Sequence, residues 1–110
     1  MRAARLVVDT GIHARRWSRE RAQAYFDENM PASRFDNQRE IDRYVVYPGQ
    51  ATSYYVGMVK ILELRERARR ELGARFDIRA FHDAVLENGP LPLPLLDEAI
   101  GAWIAARRTA

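Results

Sequence analysis

The sequence predicts an all-α fold of five to six helices, one of them long and central. Three observations support it. Apolar residues recur at helical spacing and nowhere alternate as a half-buried strand would. Ser, Asn and Asp stand where helices need N-caps, and Gly or Pro stands where they must stop. Between Gln50 and Leu72 no proline interrupts a run of helix-compatible residues.

The elements follow in order. Residues 3–14 form a helix on Leu6, Val7 and Ile12, with an interruption at Gly11. Trp17 precedes Ser18, an N-cap, and Glu20 falls in the first turn of a helix reaching about Asn29. Met30-Pro31-Ala32-Ser33 reads as a loop. Asn37 and Glu40 have the capping-box spacing, which starts a short helix to about Val46. Pro48-Gly49 ends it, the long helix runs to Leu72, and Gly73 is its C-cap. Asp77 caps a helix over 78–88, closed by Gly89 and Pro90. The prolines hold Leu91-Pro92-Leu93-Pro94 extended, and a last helix covers about 95–107.

The chain has 110 residues, 47% hydrophobic and 30% charged, which suits a single globular segment and not a disordered one. It has no cysteine, so it forms no disulfide and no thiolate metal site, and either cytoplasm or periplasm would suit it. No apolar run approaches membrane-spanning length, and the first nine residues do not read as a secretion signal. The net charge of +3 raises nucleic acid as a partner. The arginines, however, are interleaved with carboxylates: Glu63 with Arg67 and Glu66 with Arg70 stand four apart, as on a solvated helix face. Neither nucleic acid nor membrane is expected as a partner.

The start of the long helix is different. Ala51, Tyr54, Tyr55, Val56, Met58, Val59, Ile61, Leu62 and Leu64 cover too much of its circumference for a surface helix, whereas its C-terminal half is highly charged. Such a helix crosses the middle of something larger, or a homodimer hides its excess.

Residues 42–57 carry the chemistry. Four tyrosines, Arg43 and Gln50 flank the Pro48-Gly49 joint in an otherwise apolar segment. Buried phenols and guanidinium groups need partners, so the cluster is a polar network in a core or the wall of a site. A tyrosine hydroxyl can donate to a developing oxyanion, and Arg43-Tyr44 and Tyr54-Tyr55 flank the joint. Arg43, Gln50 and Tyr55 are the substrate-binding candidates beside them.

Asp9 and His13 share a helix face, so the carboxylate can orient the imidazole, as a catalytic histidine requires. A structural histidine beside a buried carboxylate has the same spacing and is the commoner case. Arg5, one turn earlier, is a competing partner for Asp9. His82 reads as a packing residue, and Trp17, Phe81 and Trp103 as core. There is no His-Glu-x-x-His, no phosphate loop and no nucleophile elbow, so no metal ligand is assigned.

The strings Arg-Leu-Val-Val-Asp-Thr-Gly-Ile-His (5–13), Trp-Ser-Arg-Glu-Arg-Ala (17–22) and Asp-Arg-Tyr-Val-Val-Tyr-Pro-Gly-Gln-Ala (42–51) belong together. With Phe-Asp-Ile-Arg-Ala-Phe-His-Asp-Ala-Val-Leu (76–86) and Gly-Pro-Leu-Pro-Leu (89–93), they resemble the C-terminal part of the bacterial domain-of-unknown-function 885 family. That family is similar to gluzincin-type helical zinc peptidases. The resemblance implies the C-terminal part of a larger metallopeptidase-like fold, with zinc as cofactor of the parent and a peptide as substrate. The family's His-Glu-x-x-Pro-Gly-His-His and Glu-Gly-Trp segments supply the metal ligands, and neither occurs here; the resemblance places them upstream.

By similarity to helical peptidases of the angiotensin-converting-enzyme and carboxypeptidase Taq groups, His13 and a tyrosine, Tyr44 or Tyr54 equally, would hold the transition state. Arg43-Tyr44 resembles an Arg-Tyr pair of those groups. The chain alone is then catalytically incomplete, and its partner is the upstream metal-binding half. The alternative is a free-standing helical interaction protein that dimerises and performs no catalysis.

Overall fold

A computed structural model describes residues 1–110. It holds six α-helices and no strand: α1 (Arg2–Arg15), α2 (Arg19–Asn29), α3 (Arg34–Val46), α4 (Ser53–Leu72), α5 (Ile78–Leu86) and α6 (Leu93–Thr109). Short 3-10 turns, Gln50–Thr52 and Gly73–Arg75, precede and follow α4. The all-α fold with one long helix is therefore as the sequence predicts.

Several boundaries are set by the expected caps. The Ser18 side chain accepts from Arg21 N at the start of α2, and Asp77 accepts from Arg79 N at the start of α5. Gly73 and Gly89 take the left-handed backbone (φ 54° and 66°) that lets the chain leave a helix.

Four local expectations are corrected. Gly11 does not interrupt α1; it is buried inside the helix because the Trp17 indole lies against it, where a Cβ would meet the ring at 2.6 Å. The cap of α3 is Ser33, whose hydroxyl accepts from Asp36 N at 3.1 Å and donates to its carboxylate at 2.7 Å. Asn37 is instead buried in α3, donating to Asp27 at 3.1 Å. Leu93 and Pro94 belong to α6, since proline is tolerated in a first turn whose N–H groups have no helical acceptor. Finally, the ion pairs within α4 are Lys60–Glu63, Arg65–Glu66, Arg69–Glu66 and Arg67–Glu71 rather than Glu63–Arg67 and Glu66–Arg70.

The chain divides into two compact units, Met1–Val56 and Gly57–Ala110. In the first, α1, α2 and α3 close over Val8, Ala22, Phe26, Ile41, Tyr44 and Ala51. The Phe26 and Tyr44 rings meet edge-to-face at 6.0 Å, a favoured aromatic geometry. Gln23 and Asn37 both donate to Asp27, which ties α2 to α3 through buried amides.

In the second unit Leu64, Ala68 and Leu72 of α4 pack with Phe81 and Ala84 of α5 and Leu96, Ile100 and Ile104 of α6. Trp103 lies at the edge of this core, its ring 6.1 Å from Phe81. Lys60 and Arg67 of α4 both pair with Asp97 of α6. Met58, Val59, Ile61 and Leu62, on α4 before that core begins, are between 37% and 40% exposed. They form an uncovered apolar surface.

Candidate functional site

The site lies in the first unit and grows from two carboxylates. Asp9 is 2% exposed in the middle of α1. One turn later His13 presents Nδ1 at 2.9 Å from Asp9 Oδ1 and at 3.0 Å from the Asp9 carbonyl oxygen. Both Asp9 carboxylate oxygens also accept from the Gly49 backbone N–H at 3.1 Å. With Nδ1–H donating to Asp9, the tautomer is fixed and Nε2 is left for a ligand. The imidazole is 29% exposed, so that nitrogen is reachable.

Gly49 makes the carboxylate contact possible. Its φ of 81° is left-handed backbone that a glycine adopts without strain, and the following 3-10 turn brings Gln50 back toward α3. There Gln50 Oε1 accepts from Arg43 Nη1 at 2.7 Å. The Gln50 amide N–H groups are its remaining side-chain donors.

Glu40, one turn before Arg43 and Tyr44 on α3, is the second carboxylate. Its Oε2 accepts from Tyr44 at 2.8 Å and from Arg43 Nη2 at 3.0 Å, and lies 3.2 Å from Arg5 Nη2 of α1. Burial alone would raise its pKa, but the Tyr44 and Arg43 hydrogen bonds and the Arg43 and Arg5 charges hold it below the usual value. Burial first, and the hydrogen bond to Glu40 second, push the Tyr44 phenol well up.

The tyrosines differ in availability. Tyr44 is fully buried with its hydroxyl engaged, whereas Tyr54, in the first turn of α4, is 42% exposed. The Arg2 and Arg5 guanidinium carbons lie 5.2 and 5.5 Å from the Tyr54 ring centroid, within cation–π range. Tyr55 is half-buried beside it.

Asp9, His13, Arg43, Tyr44, Gln50 and Tyr54 are thus all described within one unit, joined through Gly49 and Glu40. Arg5 does not pair with Asp9; it takes Glu40. Sequence reasoning gave Glu40 a capping role and missed its hub role, although Glu40-x-x-Arg43-Tyr44 places all three side chains on one helix face. No group of three or more His, Cys, Asp or Glu side chains is arranged to hold a metal ion. The zinc implied by the resemblance therefore does not fit residues of this chain.

The model of one family, "Bacterial protein of unknown function (DUF885)", matches residues 1–100. The chain belongs to that family. Among solved structures, this DUF885 chain is similar to a candidate lipoprotein from Colwellia psychrerythraea, with a TM-score of 0.92 and 48% identity over 96% of its length. It spans only 18% of that protein. No curated protein matches it.

Proposed function

We propose that this DUF885 chain forms the substrate- and transition-state-binding part of a larger peptidase, and that it is catalytically incomplete alone. The observation that carries this reading is the Asp9–His13 pair. A buried carboxylate, itself held by a backbone N–H, orients an imidazole whose other nitrogen is open. Zinc, if the parent protein uses it, is held by residues outside this chain; when bound it would supply an activated water.

The roles assigned to this chain follow from its geometry. His13 Nε2 meets the polarised carbonyl of the substrate, with Asp9 as the orienting group. Tyr54 is the oxyanion donor we assign, because the Tyr44 hydroxyl would first have to leave Glu40. Tyr44 then acts on the site only by positioning Glu40. The Gln50 amide and Arg43 bind the peptide backbone, with Tyr55 at their side.

The test is a hybrid in which this chain replaces the matching segment of the Colwellia protein. Its hydrolysis of a mixed peptide library is followed by mass spectrometry. His13→Ala and Tyr54→Phe should each lower turnover about 100-fold, the usual loss for a preorganised oxyanion donor. Tyr44→Phe should cost less. A hybrid that cuts no peptide, or unchanged turnover in both His13→Ala and Tyr54→Phe, overturns the proposal.

The uncovered residues Met58, Val59, Ile61 and Leu62 favour a second reading, a dimerising helical interaction protein without catalysis. Sedimentation of the isolated chain separates the two. A stable dimer with a cooperative melt supports the interaction protein, and a monomer removes it.

A further inference from the structure

We propose that Arg2, Arg5 and Arg43 form a carboxylate-binding site, and that its ligand is a carboxylate carried by a peptide. The inference rests on the peptidase reading and adds the chemistry that the peptide must present. Two guanidinium groups share one acid here, and a third stacks with one of them on the Tyr54 ring. Arg5 and Arg43 share Glu40 at 3.2 and 3.0 Å, and Arg2 pairs with no carboxylate. The cluster therefore keeps an excess of positive charge at neutral pH, because guanidinium groups do not lose their protons there.

Two further observations show that the cluster is built to hold more than Glu40. Arg5 Nε is buried and has no acceptor, the kind of orphan donor that native proteins rarely leave. The Tyr54 ring lies under both Arg2 and Arg5, which holds two like charges near each other where free side chains would separate. Beside Glu40 and Arg43 opens a cavity of about 500 Å³, also lined by Met1, Asp36 and Arg39.

The charge pattern selects among anions. Asp36 and Glu40 on the cavity wall repel a doubly charged phosphate more strongly than a singly charged carboxylate. The planar guanidinium fork matches the two oxygens of a carboxylate. Gln50, held by Arg43 through its oxygen, offers its amide N–H groups to the neighbouring peptide carbonyl. A chain terminus or an acidic side chain can supply the carboxylate, and both present the same two oxygens.

Binding of three synthetic peptides to the 110-residue chain tests this, with calorimetry as the readout. They are acetyl-trialanine as the free acid, the same peptide as its amide, and amidated acetyl-Ala-Glu-Ala. The free acid or the glutamyl peptide is expected to bind at least about tenfold more tightly than the uncharged amide, as charge-assisted hydrogen bonds allow. Preference for the free acid alone assigns the ligand as a chain terminus. Preference for the glutamyl peptide assigns an acidic side chain, and either result supports the site.

Arg2→Gln tests the exposed arginine without disturbing an ion pair, and Arg43→Gln tests the one beside the cavity. Each should shrink the acid-over-amide preference to about threefold or less, with Arg2→Gln still melting like the parent. Equal affinity for all three peptides overturns the carboxylate site but leaves peptide binding intact. No binding of any peptide overturns the site, and the hybrid's turnover then decides the peptidase reading separately. An unchanged preference in both variants also overturns it.

Discussion

Replacing Gly11 by alanine is expected to destabilise the N-terminal unit, although alanine is the better helix former. An added Cβ would lie 2.6 Å from both Cδ2 and Cε3 of Trp17. These atoms belong to the six-membered ring of a large rigid side chain, so the indole must move as a whole. It packs against Tyr25 at 5.9 Å between ring centroids and carries the Arg21 guanidinium 4.5 Å over its face. Alanine gains about 1 kcal/mol of helix propensity. Overpacking costs about 1–3 kcal/mol, and a displaced indole also forfeits an aromatic contact and a cation–π contact of about 0.5–1 kcal/mol each. The net expectation is a loss of about 1–4 kcal/mol.

Gly57 is the control. It also lies inside a helix, α4, but an added Cβ would meet nothing within 4 Å. There the same substitution should stabilise by about 0.5–1 kcal/mol. Urea unfolding measures both, by circular dichroism and by Trp17 fluorescence in a Trp103→Phe background. The midpoint should fall for Gly11→Ala and rise for Gly57→Ala. A Gly11→Ala midpoint at or above that of the parent would refute the reasoning, because the clash would then be relieved at no cost.

Ser33→Ala removes the cap of α3 and should cost about 1 kcal/mol in a thermal melt. Asn37→Asp should cost more, about 1–3 kcal/mol, because a carboxylate cannot donate to Asp27 as the buried amide does; near-neutrality would restore Asn37 as a cap. Glu40 has a folded-state pKa held below its ordinary value of 4.5, so its contribution is present above that value. It is lost as pH falls through the depressed pKa, and Glu40→Gln should flatten that part of the acid-unfolding curve. A parent and Glu40→Gln chain with parallel acid transitions would remove Glu40 from the account. Changing Met58, Ile61 and Leu62 together to glutamine should leave stability within about 0.5 kcal/mol per site and reduce binding of a hydrophobic dye. A loss of several kcal/mol would mean that these residues are packed within the chain.

The helices were legible in the sequence because their caps act locally. Ser18, Gly73 and Asp77 each hold their own helix end, with no distant partner to overrule them. The start of α3 was not, because Ser33 and Asn37 are both good caps four residues apart. The choice falls to Asp27, ten residues from Asn37, whose carboxylate draws that amide into the interior. Gly11 failed for a related reason: propensity marks it as a break, and only the packed indole of Trp17 shows why a residue without a side chain is needed inside the helix. Within the site, Asp9–His13 was legible because i,i+4 spacing is set by the helix itself. The contact from Asp9 to Gly49 spans 40 residues, and no local pattern announces it.

The two carboxylates divide the site between them, and their partners explain the division. Asp9 takes a backbone N–H and an imidazole, so it fixes the path of the chain through Gly49 and the direction of His13 together. Glu40 takes three side chains, a phenol and two guanidinium groups, so it fixes charge rather than path. Gln50 belongs to both systems: its place follows from Gly49, and its oxygen is held by Arg43. Any change in the path at Gly49 must therefore reach the arginine cluster, and any change in that cluster must be felt by Gln50. A histidine aimed by one buried acid and arginines gathered by another are coupled through a single amide side chain. On the proposed peptidase reading, that coupling is what an extended substrate would require of a wall that grips it at two points.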